Sequence, residues 1–258
     1  MEAFLIILKI FIIVDTINEI GSKPLRVVTD GDKEIRRILL KISARVNAAD
    51  RNGKTPLILA AEKGGVQISR ELLSATAVEN LSSTFFSAAT KGHTEVVRVM
   101  LNHDASMNST NETGETILRP AAAKGHVEVV TELLNRGTEV DIIDVYCSAH
   151  LDATPLMGHL ETVRELLKHV SSVDIADEFG RTPPIIGGSE GHEEIVRELL
   201  NRGTEVDITY AYGGTPLNAA SSKCHLEIFR ELLNQGASVN VAGKDCRTPL
   251  IIADTEAH

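Results

Sequence analysis

Nine histidines invite a metal or acid–base reading, and their spacing argues against both. Six of them, His93, His126, His159, His192, His225 and His258, stand 33 residues apart. A helix-borne zinc pair needs its ligands at i and i+4 on one face. One imidazole every 33 residues puts neighbours in different layers of any repeating fold. His103, His150 and His169 have no ligand spacing either. Glutamates recur in the same rhythm, at Glu95, Glu128, Glu161, Glu194 and Glu227, beside Arg-Glu-Leu-Leu at Arg70, Arg164, Arg197 and Arg230. Ladders of this kind are solvated faces with weak ion pairing, not general acid–base pairs. Three cysteines form no Cys-x-x-Cys, and each replaces a glycine that other copies carry. There is no Gly-x-Ser-x-Gly, no phosphate-binding loop and no His-Glu-x-x-His. Neither catalysis nor a cofactor is expected.

The elements that carry these residues are copies of one another. Glu132–Ile142, ELLNRGTEVDI, returns letter for letter at Glu198–Ile208. A Thr position recurs at Thr55, Ser83, Thr116, Ala149, Thr182, Thr215 and Thr248, with a first step of 28 residues and later steps of 33. A fixed period in the range of about 20–50 residues marks a repeat array and outranks local propensity. Thr-Pro predicts a helix start, the hydroxyl accepting a backbone N–H and proline suiting the first helical position. Small pairs such as Ala60-Ala61 and Ala121-Ala122 let neighbouring first helices approach. Gly64, Gly92, Gly125 and Gly191 end those helices. Val129, Val130, Leu133 and Leu134 predict one buried stripe on a second helix. Gly137, Gly203 and Gly236 stop it, and an Asp/Asn-x-x-Gly turn leads to the next copy.

The pattern Gly-x-Thr-Pro-Leu, Ala-Ala, Gly-His-x-Glu-Val-Val, Leu-Leu, Gly-x-x-Val-Asn/Asp resembles the ankyrin repeat over about residues 22 to 258. The resemblance implies an all-α solenoid of stacked helix pairs with β-hairpin fingers and a concave groove. It also implies histidines that brace a neighbouring turn by hydrogen bonding, and a function of binding another protein. About seven full or partial repeats are expected, the last cut short at His258.

Two stretches depart from the pattern. The copy phased on Ala149 lacks Thr-Pro at its start and carries Thr154-Pro155 where a small pair belongs. An interior proline there costs about 3 kcal/mol of helix stability. The next copy has Pro184 in its first turn and Gly187-Gly188 for the Ala pair, so residues 145–190 are the expected weak segment. Residues 1–21 form a separate section. Phe4–Val14 is apolar but for Lys9, too short to span a bilayer, and preceded by Glu2 rather than a cation. A cap over the first repeat is preferred to a secretion signal.

Binding residues are sought at the exposed turns. Tyr146, Phe179 and Tyr212 occupy one position in consecutive copies of a chain with 3% aromatic residues. Aromatics on rigid tips are typical interface anchors. Tyr210, Arg181 and Glu178 would form their polar rim, and Lys124 and Lys223 follow the small pairs on the inner face. A formal charge of −10 argues against nucleic acid, which demands clustered cations. The expectation is a monomeric cytoplasmic protein, with a nuclear location compatible, that binds another protein and not a membrane. The alternative is the ankyrin portion of a larger or membrane-tethered protein whose effector domain lies outside this chain.

Overall fold

The computed structural model describes residues 49–50, 52–75, 81–103, 105–111, 114–140, 158–169, 173–177, 179–211 and 213–256. The apolar run Phe4–Val14, the Ala149 copy up to residue 157, and Tyr146, Tyr212 and Glu178 lie outside them. Twelve helices occupy the described residues: α1 Pro56–Glu62, α2 Val66–Ala75, α3 Leu81–Thr90, α4 Thr94–Leu101, α5 Leu118–Ala123, α6 Val127–Asn135, α7 Leu160–Leu167, α8 Pro183–Glu190, α9 Glu193–Asn201, α10 Pro216–Ser222, α11 Leu226–Asn234 and α12 Pro249–Glu256. The fold is all-α, in consecutive helix pairs. Contacts divide the chain into two compact units, Met1–Ser106 and Met107–His258.

In the first unit α1 packs on α2 and α3, and α4 packs on α2 and α3. In the second, first helices touch first helices (α8 on α10, α10 on α12) while second helices touch second helices (α6 on α7, α7 on α9, α9 on α11). The predicted stripe explains the second row: Val129, Val130 and Leu133 are fully buried, as are Val196 and Leu199 of α9. A representative core joins Val196, Leu200, Leu217, Ala220, Ile228 and Leu232.

Helix starts follow the sequence in part, and α5 takes Ile117 rather than Thr116 as its N-cap. The Thr55 hydroxyl accepts from Ile58 N and the Thr215 hydroxyl from Asn218 N, as a cap should. Thr182 makes no such bond. Helix α3 begins at Leu81, two residues ahead of the Ser83 start that the repeat phase predicts; without proline at the first position nothing fixes the entry there. Helix α8 forms over eight residues despite its two prolines and two glycines. Both prolines fall in the first turn, where backbone N–H groups have no intrahelical acceptor to lose. The glycines also have a use: a Cβ on Gly188 would stand 3.2 Å from the Pro216 carbonyl oxygen of α10.

The fingers are tighter than hairpins. Each is closed by a backbone bond across five residues (Asp50 N to Lys54 O, Asn111 N to Glu115 O, Asp177 N to Arg181 O, Tyr210 N to Gly214 O and Gly243 N to Arg247 O) and by a second inside it, such as Gly180 N to Asp177 O. Between Thr110 and Thr116 there is one antiparallel bridge, and no named strand occurs among the described residues. The resemblance implied β-hairpin fingers; among the described residues the pairing goes no further than these bonds and that bridge.

Candidate protein-binding surface

The histidine column resolves into a stacking device. A Cβ on Gly64 would lie 2.8 Å from His93 Nδ1, and one on Gly125 would lie 2.6 Å from His159 Nδ1. Gly158 stands in the same relation to His192, and Gly191 to His225. His93 Nε2 hydrogen-bonds the Glu62 carbonyl at 2.9 Å, and His225 Nε2 the Ser189 carbonyl at 3.2 Å. Each of these four imidazoles therefore lies on the glycine turn of the preceding repeat and is committed to packing. No group of three potential metal ligands occurs among the described residues.

The glutamate–arginine ladder is real and also structural. Arg164 pairs with Glu161 on its own helix at 2.8 Å and with Glu198 of the next repeat at 3.1 Å. The bond to Glu198 is the main influence holding its guanidinium charged. Arg197 repeats the scheme with Glu193 and, at 3.9 Å, Glu231. Exposed pairs of this kind are screened by solvent and contribute little to stability.

A third column was not foreseen. Asn108, Asp174 and Asp207 each accept a backbone N–H 31 residues on, from Glu139 at 3.5 Å, Glu205 at 3.3 Å and Ser238 at 2.9 Å. These bonds tie the start of one finger to the helix end of the next repeat. Burial raises the Asp174 carboxyl above its ordinary range, partly offset by the Glu205 N–H, while the Glu205 carboxylate pushes the same way as burial.

What remains outward-facing is the set of finger tips. Of the aromatic column only Phe179 is described, and 46% of it is exposed. Its setting is rigid. The Asp177 carboxylate accepts from Phe179 N at 2.9 Å and Arg181 N at 2.8 Å, and pairs with the Arg181 guanidinium at 2.7 Å. That guanidinium lies 5.2 Å from the Phe179 ring centroid, a cation–π arrangement. The Phe179 carbonyl accepts from Ala211 N of the following finger at 3.2 Å.

Tyr210 does not join that tip as a rim. It turns toward the helices, and its ring occupies the place where a side chain at Gly214 would stand. There it walls a cleft of about 370 Å³ with Asn218, Ser222, Lys244, Arg247 and Ile252. Lys223 is exposed at the end of α10, next to Ser222, whereas Lys124 ends α5 and does not line this cleft. The structure thus separates the expected residues into a Phe179–Arg181 tip, a Tyr210 cleft with Lys223 beside it, and a remote Lys124. Sequence reasoning missed Gly214, Asn218 and Arg247. The signal was present at Gly214, since the matching residues elsewhere are Lys54, Ser82, Glu115, Ser148, Arg181 and Arg247, none of them glycine.

Helix pairs joined by columns of repeated contacts define a modular repeat protein. Comparison with known proteins agrees. The model for ankyrin repeats in three copies matches residues 77–144 and 149–242, and that for the single ankyrin repeat matches residues 52–82. The chain belongs to the ankyrin repeat family. It is similar to the "Ankyrin repeat and KH domain-containing protein mask-1" of Caenorhabditis elegans, with 34% identity over 95 residues. That match covers 34% of this chain and 4% of the worm protein. Ankyrin repeats generally act as protein–protein interaction modules and are typically non-catalytic. No helix of the described residues is long and apolar enough to cross a membrane.

Proposed function

We propose that this chain is a non-catalytic interaction scaffold, a cytoplasmic monomer that holds a partner protein against its finger tips and the adjoining inner helix ends. The observation that carries this reading is the Phe179 tip: a large aromatic held half in solvent by a buried aspartate and a stacked arginine. A side chain immobilised before contact loses little entropy on binding, which is where rigid repeat surfaces gain affinity. The test is affinity purification with the whole chain and its Phe179→Ala variant. The variant is expected to fold normally and to lose the partner by about tenfold, the usual cost of truncating an aromatic anchor. Equal recovery by both chains would remove the tip from consideration.

A second reading, the ankyrin portion of a larger protein, is favoured by the small share of the worm relative that this chain matches. Transcript sequence past the His258 codon separates the two, an immediate stop counting against the larger protein.

A further inference from the structure

We propose that the cleft between the last two fingers seats one acidic side chain, a glutamate or aspartate, from an extended segment of the partner protein. This rests on the protein-binding reading above and adds the partner's chemistry.

The cleft is made by a substitution particular to its repeat. Where other copies carry Lys54, Glu115, Arg181 or Arg247, this one has Gly214, and the Tyr210 ring lies in the vacated space. Any side chain at Gly214 would expel the ring. The floor is fixed as firmly as the wall. Asn218, buried, accepts from the Thr215 backbone N–H at 3.1 Å and shares a 2.6 Å hydrogen bond with the Thr215 hydroxyl. Its amide donates to the Arg247 carbonyl at 3.3 Å, tying the last finger to α10. The Ser222 hydroxyl is turned to the Ala219 carbonyl at 2.9 Å. The polar groups beneath are committed, so recognition falls to the charges at the mouth.

Those charges favour an anion. Lys244 and Arg247 line the cleft with one carboxylate, Asp245, and the exposed Lys223 directly follows the lining Ser222 in the chain. Arg164, Arg197 and Arg230 on the second helices are each matched by glutamates. Arg247 and Lys223 make no ion pair among the described residues, although the chain carries a formal charge of −10. The counter-charge of Asp245 limits the surplus, which suits a single carboxylate better than a doubly charged group. The Tyr210 face and Ile252 supply apolar surface for that side chain's methylenes. At about 370 Å³ the cleft admits a side chain with its flanking backbone and is too small for a helix.

The probe is a capped hexapeptide, Ala-Leu-Glu-Glu-Leu-Ala, with Gln-Gln and Lys-Lys counterparts, titrated into the whole chain labelled with 15N-glycine. The acidic peptide should move the amide signals of Gly214 and Gly243 in a saturable way and leave Gly64 unmoved. Binding should weaken about tenfold for the glutamine peptide and by a similar factor for Arg247→Gln, one charge-assisted contact being removed in each case. Gly214→Arg should abolish it, and because Arg247→Gln alters only an exposed side chain, the test survives if the Gly214 variant misfolds. Equal binding of the glutamine peptide, indifference to Arg247→Gln, or no saturable shift at millimolar peptide would overturn the proposal. Such a result, alongside partner capture still lost in Phe179→Ala, fails the acidic cleft and leaves the scaffold standing. Acid-selective binding alongside capture indifferent to Phe179→Ala fails the tip instead.

Discussion

At Cys224 and Cys246 the backbone adopts φ of 57° and 58°, in the left-handed region where the equivalent Gly125, Gly191, Gly180 and Gly213 stand. The glycines serve two demands: the left-handed conformation, and a neighbour that leaves no room for a Cβ. A cysteine there meets the first demand only with strain. Returning either to glycine should therefore raise stability by about 0.5–1 kcal/mol, relief of left-handed strain less the entropy glycine gives the unfolded chain. The opposite change, Gly125→Ala, meets both costs, because its Cβ would press on His159 at 2.6 Å. It should lose about 2–3 kcal/mol, and urea titration of the three variants orders them. Asp174 gives the pH-dependent case. Its folded carboxyl holds a proton to higher pH than the unfolded one does. Folded chains thus bind more protons in that window, and stability falls as pH rises through it. Asn108 fills the equivalent place and accepts the equivalent bond, so Asp174→Asn should keep the latch and drop the cost. The variant should melt higher than the native chain near pH 7, the gap closing below the ordinary carboxyl value of about 3.9. A gap that widens on acidification would reverse the assignment.

At the scale of the helix the decisive contact is α8 against α10. Alanine at Gly188 would gain about 1 kcal/mol of helix propensity. Its Cβ, however, would stand 3.2 Å from the Pro216 carbonyl, backbone that cannot swing aside. Separating two packed helices costs about 1–3 kcal/mol, so Gly188→Ala should be net destabilising in a thermal melt, the reverse of the usual glycine-to-alanine outcome in a helix. Gly187-Gly188 reads in sequence as an entropic cost, and the approach of Pro216 gives position 188 a packing use that helix propensity does not weigh. What lies within a copy was legible. Thr55-Pro56 starts α1, the Val129–Leu134 stripe is buried, and the Asp177-x-x-Gly180 turn closes as written. What lies between copies was legible only where it repeats. The histidine column recurs at every step and shows itself; the Asn108, Asp174 and Asp207 latch mixes two residue types and hides. Tyr210 was read as part of a rim because it stands two residues from Tyr212 in sequence, which says nothing of the space that Gly214 opens below it.

Across the second unit, burial at equivalent positions predicts how the molecule comes apart. Stability in a repeat array is the sum of each module's own terms and the interfaces it shares with neighbours. Leu217 of α10 lies between α8 and α12 and is fully buried, whereas Leu250, its equivalent in α12, is 72% exposed. Leu233 and Ile251 are likewise open, at 38% and 46%. Helix α12 is therefore held mainly through α10, whereas α9 is held through α7, α8 and α11. Opening α12 breaks one interface; opening α9 breaks three. Local opening energies follow the buried apolar contacts that must be released. Amide exchange in α12 should consequently run at least about tenfold ahead of that in α9, each 1.4 kcal/mol of extra opening energy being a factor of ten. Truncation must show the same asymmetry: Leu217→Ala should cost about 2–5 kcal/mol as a core deletion, and Leu250→Ala less than about 0.5 kcal/mol as a surface change. Hydrogen exchange read by mass spectrometry, with the two variants melted side by side, checks both statements. Equal protection of α9 and α12 would mean that the unit opens as one block, and that nearest-neighbour contacts do not set its order of unfolding.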